Sequence, residues 1–121
     1  MDRARLRNTV LLITAALVVI AVMASVALAA HQTVRGTAYP VKDQPFRFRF
    51  VSWVESSKRC ERHRLIKLIY QGNVVAQDRT GGPKQLAHLG RHRIHHHDQW
   101  FFVVSHKDGC TGPNSNSLLF P

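Results

Sequence analysis

The sequence predicts an all-β fold, a small antiparallel sandwich, preceded by one N-terminal transmembrane α-helix. Three observations predict it. An uncharged apolar run, Thr9 to Ala30, stands near the start of the 121-residue chain. Beyond it, short runs rich in aromatic and β-branched residues alternate with turn residues. The chain holds two cysteines, Cys60 and Cys110, both beyond the apolar run, which is where an exported domain carries a disulfide.

The apolar run has 22 residues, with only Thr9, Thr14 and Ser25 mildly polar. At about 1.5 Å per residue it would span roughly 33 Å, the thickness of a bilayer's hydrocarbon core. Arg3, Arg5 and Arg7 precede it, while only Arg35 and Lys42 follow it closely. That bias places residues 1–8 in the cytoplasm and the C-terminal domain in the periplasm or outside the cell, with 9–30 a signal-anchor helix. Ala27-Leu28-Ala29 also fits a cleavage motif, so secretion after cleavage near Ala29 or Ala30 is the alternative. Ala21, Ser25 and Ala29 recur every four residues, a small-residue stripe against which a neighbouring membrane helix could pack.

Residues 31–45 contain Gly36, Pro40 and Pro45 and little apolar periodicity, so they read as a stalk or an edge segment before a β domain over 46–121. Phe46, Phe48 and Phe50 alternate with Arg47 and Arg49, the clearest strand pattern in the chain, one face dry and one wet. Glu55 to Arg64 is a polar bend containing Cys60. Leu65–Tyr70 and Val74–Gln77 flank Gln71-Gly72-Asn73, a hairpin signal. A helix over Glu61–Tyr70 is the competing reading, and β-branched content argues against it. Asp78 to Lys84 is a loop. Trp100 to Ser105 is a strand with no polar residue before Ser105, expected to be central and buried on both sides. Lys107-Asp108-Gly109 makes a turn before Cys110, and Leu118–Pro121 forms a closing edge strand. The expected core is Phe46, Phe48, Phe50, Ile66, Leu68, Tyr70, Phe102 and Val104. Such a domain resembles an immunoglobulin-like sandwich in architecture, and architecture alone carries no function.

Three constellations bear on function. Of the 17 Lys and Arg and 7 Asp and Glu in the chain, Arg3, Arg5, Arg7 and Asp2 precede the run, leaving 14 against 6 from His31 onward. Arg47, Arg49, Lys58, Arg59, Arg62, Arg64, Arg91 and Arg93 form clusters that would make one basic surface if the fold brings them together. Such a surface suits an acidic protein, an anionic lipid or a glycan, and an exported domain rarely meets nucleic acid. Six of the eight histidines lie between His88 and His106. If Pro83 opens a helix, His88, His92, His95 and His96 fall within about 100° of arc, a candidate ligand set for zinc or copper. If the segment is a strand, His95 and His97 share a face instead. The interleaved Arg91 and Arg93 oppose a cation. No other cofactor is implied. No Gly-x-Ser-x-Gly, His-Glu-x-x-His or phosphate-binding glycine loop occurs, so the chain reads as non-catalytic.

Two functions follow as expectations. One is a single-pass membrane accessory subunit or interaction module of a membrane protein complex. The other is an exported binding protein for a polyanion or a transition metal.

Overall fold

Alternation along each strand decides which side chains are dry, and the turns decide which strands meet. The structure, a computed structural model, describes residues 29–121. The elements are β1 (Ala30–His31), β2 (Thr33–Val41), β3 (Gln44–Glu55), α1 (Lys58–Glu61), β4 (Leu65–Tyr70), β5 (Asn73–Arg79), β6 (Ala87–Arg93), β7 (Gln99–Val104), β8 (Cys110–Thr111) and β9 (Ser115–Leu119). Two antiparallel sheets, in the orders β2-β3-β6 and β5-β4-β7-β9, face each other, and β1 pairs with β8 in parallel at one pole. Residues 29–121 thus form an antiparallel β sandwich.

The core lies between the sheets. Val34, Phe50, Val54, Ala87 and Leu89 come from one side, and Ile66, Leu68, Trp100, Phe102 and Val104 from the other. Each large apolar side chain so buried contributes about 1.5–3 kcal/mol. Trp100 stacks on Tyr70 at 4.2 Å and lies 4.6 Å from Phe50. Gly36 lets β2 approach the opposite sheet, because a Cβ there would overlap the Phe102 ring. The Cys60–Cys110 disulfide closes the pole, linking α1 to β8 over 50 residues. In the chain-entropy model a loop of that length is worth about 4 kcal/mol.

The hairpin between β4 and β5 forms, and the helix over Glu61–Tyr70 does not. Its two-residue turn is Gln71-Gly72, with φ of 51° and 78°, the primed type that matches strand twist. Residues 31–45 are drawn into the sandwich, since β2 pairs with β3 from Thr33 to Val41 and holds Pro40 on a sheet edge.

Not every expectation holds. Phe46 is 55% exposed. Opposite Pro40 and Val41 the register jumps from Phe48 to Gln44, so Pro45, Phe46 and Arg47 bulge out of the β2–β3 ladder, while Arg47 stays in register with β6. Phe46 takes a φ of 65°, which turns its side chain away from the core, while its carbonyl accepts Ile94 N–H at 2.7 Å. Phe48 and Tyr70 only flank the core. β7 is an inner strand but not dry on both sides: Phe101 is 37% exposed, because an antiparallel sheet with one partner layer leaves its other face to water. Pro83 opens no helix, and the uncertain stretch contains β6 with Gly90 at φ 83° beside the register shift against β3. At the other end, Ala30 belongs to β1 and Ala29 is not helical, so no helix extends over the last two residues of the span expected at 9–30. Ala21, Ser25 and the rest of that span lie outside the described residues. Among the described residues no helix is long and apolar enough to cross a membrane.

Candidate binding face

The outer face of the β2-β3-β6 sheet gathers one of the two arginine clusters. Arg47 stands opposite Arg93, and Arg49 opposite Arg91. Their inward neighbours are Phe48, Phe50 and His92, so period-two alternation sends all four guanidinium groups to solvent. Like charges directly opposite on a sheet destabilise it. Among the described residues the ion pairs are Arg35–Glu55 at 3.2 Å and His106–Asp108 at 3.1 Å, so none of the four arginines has a carboxylate partner. Arg47 Nη1 donates to Gln44 Oε1 at 3.3 Å.

Three open grooves run along this face. One of about 510 Å³ has an apolar floor of Val51, Trp53 and Leu86, with Arg49, Lys84, His88 and Tyr39 around it. A second of about 470 Å³ shares Tyr39 and Arg49 with the first and adds Lys42 and Arg91. A third, also about 470 Å³, lies between Arg47, Arg93 and Phe46. The face therefore offers apolar contact and forked cationic donors side by side, which suits a carboxylate-bearing surface with some apolar character. Asp43 in the β2–β3 turn, Glu55 on Arg35, and Asp78, which accepts the His88 backbone N–H at 2.8 Å, stand at its margins.

The second cluster does not join the first. Lys58, Arg59 and Arg62 sit on and beside α1, past the far end of β3. From Arg49 to Glu55 is six residues of strand, about 20 Å. Arg64 is not on the surface at all. It is 2% exposed and donates to Gln32 Oε1 at 2.8 Å, Cys60 O at 2.6 Å and Ser105 O at 2.9 Å. Burial pushes its guanidinium pKa down, and the three acceptors hold it as a structural cation under the disulfide pole. Gln32, equally buried, passes the network on to Asn114 Oδ1 at 2.7 Å.

The four histidines that a helix opened by Pro83 would gather as metal ligands are dispersed, because the segment forms the strand β6. His88 is exposed on the outer face. His92 turns inward, 5.6 Å from Phe50, with Nε2 placed to donate to Leu89 O at 2.7 Å. His95 and His97 lie past the end of β6, so they share no strand face. His95 gives its backbone N–H to Asp98, and His96 meets Phe46 edge-on at 6.5 Å. Among the described residues no group of three or more His, Cys, Asp or Glu side chains could hold a metal ion. Asp98 instead accepts the Tyr70 hydroxyl at 2.9 Å, and that hydrogen bond, with burial and the carboxylate charge, raises the Tyr70 pKa.

Sequence reasoning missed Tyr39, Trp53, Lys84 and Leu86 as parts of the face. Tyr39 sits directly opposite Arg49, a register that only the β2–β3 pairing fixes. No family model matches the chain, and no curated protein or solved structure matches it.

Proposed function

We propose that the chain is a non-catalytic, single-pass membrane interaction module. On this reading, Thr9 to about Leu28 anchors an immunoglobulin-like domain outside the membrane, and the outer β2-β3-β6 face docks an acidic region of a partner within a membrane complex. The observation that carries the reading is the two arginine–arginine cross-strand pairs, Arg47–Arg93 and Arg49–Arg91, which have no carboxylate partner among the described residues. Such pairs cost the isolated domain stability, and an external anion offsets that cost. The apolar floor of Val51, Trp53 and Leu86 favours a protein over a purely charged glycan. The strand order, three strands over four with β6 returning to β3, supports the immunoglobulin-like description.

The test is co-purification in mild detergent. Wild-type chain should retain a partner whose retention falls steeply with salt, and Arg49→Gln with Arg91→Gln should lose most of it without unfolding. Equal retention by the double variant, or retention of sulfated glycan in place of protein, overturns the proposal.

A further inference from the structure

We infer that the disulfide pole is a second, separate docking surface, and that its partner is the anionic headgroup layer of the membrane in which the chain is anchored. The inference rests on the anchor reading above and assigns a site that the reading does not use. The first observation is positional. β1 begins at Ala30, which is also the last residue of the apolar run, so no linker separates that run from the folded domain. Ala30 N–H donates to Gly109 O at 2.9 Å, and Gln32 N–H to Thr111 O at 2.7 Å. Wherever the run meets the membrane surface, β1, β8 and α1 are there with it.

The second observation is chemical. The Arg59 guanidinium lies over Gly109, the residue that receives Ala30, and donates to Asp108 O at 3.0 Å. Lys107 Nζ reaches back to Arg59 O at 2.6 Å. Lys58 and Arg62 stand one helical turn apart, joined by the Arg62 N–H bond to Lys58 O. Lys58, Arg59 and Arg62 are exposed. Four cations thus lie on the disulfide pole through which the chain enters the domain, against Glu61 and Asp108. Glu61 is partly occupied with capping Ser56 N–H at 3.1 Å.

A basic cluster held at headgroup level gains about 1 kcal/mol, roughly a five-fold factor, for each cation near an anionic surface. The topogenic charge bias does not oppose it, because that bias counts residues near the membrane span in sequence, and these cations come from 58–62 and 107. Docking the pole would hold the domain upright and keep the Arg49–Arg91 end of the arginine face about 20 Å from the pole along β3.

The test uses the full chain in lipid nanodiscs, of phosphatidylcholine alone or with phosphatidylglycerol, read by hydrogen–deuterium exchange. Backbone amides over 58–62 and 107–111 should exchange several-fold more slowly in the anionic discs, and high salt should abolish the difference. Lys58→Gln with Arg62→Gln, which removes two of the four cations, should shrink it markedly, as a roughly 25-fold weaker headgroup contact predicts. Neither side chain makes a hydrogen bond among the described residues, so an unchanged melting temperature is expected and separates charge loss from unfolding. A chain that incorporates but exchanges equally in both lipids overturns this inference alone. A chain that does not incorporate overturns the anchor reading and this inference with it.

Discussion

Removing one arginine from the Arg49–Arg91 pair should stabilise the domain while weakening its binding. The two residues are directly opposite on β3 and β6, both exposed, and neither has a carboxylate partner among the described residues. Two unit charges about 6 Å apart in water repel by about 0.7 kcal/mol, and physiological salt halves that to about 0.3 kcal/mol. Partial desolvation beside Tyr39 and the sheet raises the figure, and like-charge cross-strand pairs range up to about 1 kcal/mol. Arg49→Thr, which also suits a strand, should therefore gain about 0.3–1 kcal/mol. For a domain of this size that is about 1–6 °C in melting temperature. Arg91→Thr should do the same, and the double variant should gain little more than either single, because one removal already ends the repulsion. The assay is thermal unfolding by circular dichroism with the disulfide intact, at low and at high salt. The gain should shrink as salt rises. A clear loss of stability in both single variants, or a salt-independent gain, would mean that the two guanidinium groups do not repel each other across the strands.

Three further outcomes follow from the packing and the titrating groups. Phe50→Ala, at a site with no exposure, should cost about 3–5 kcal/mol in urea denaturation, whereas Phe46→Ala should cost no more than about 1 kcal/mol; equal costs would place the strand face wrongly. Gly36→Ala should destabilise by about 1–3 kcal/mol, since its new methyl meets the Phe102 ring, and Phe102→Leu in the same chain should restore part of the loss. Tyr70 has a raised pKa in the folded state, so the stability it contributes is present below the ordinary tyrosine value near 10.0 and is lost as pH rises through the folded value. Alkaline unfolding should accordingly be blunted in Asp98→Asn, and an unchanged alkaline profile would count against the Tyr70–Asp98 contact.

The Phe-Arg alternation was legible because period two is a local property, and its inner half, from Phe48 to Phe50, follows the pattern. Phe46 departs from it because the three-residue bulge depends on how β2 pairs with β3, which no local pattern encodes. The disulfide and the β4–β5 hairpin were legible from composition and turn chemistry. β6 was hidden because Gly90 interrupts its alternation and because histidines at 88, 92, 95 and 96 suit a helical wheel as well. The same strand disperses those histidines and sets Arg91 and Arg93 against Arg49 and Arg47, so the one element that the sequence left open between helix and strand decided both candidate sites. Arg64 looked like its neighbours in sequence, and only the convergence of Gln32, Cys60 and Ser105 around it makes it a core residue.

The arginine face as a docking site can be tested most directly by photo-cross-linking in intact membranes. A photoreactive residue placed at Tyr39, beside Arg49 on the outer face of the three-stranded sheet, is compared with one at Phe101 on the exposed face of the other sheet. One adduct of defined mass is expected from position 39, to an acidic protein, absent when Arg49→Gln and Arg91→Gln are added, and little or none from position 101. The same adduct from position 101 and not from 39, or an adduct from 39 that persists without the two arginines, would contradict it.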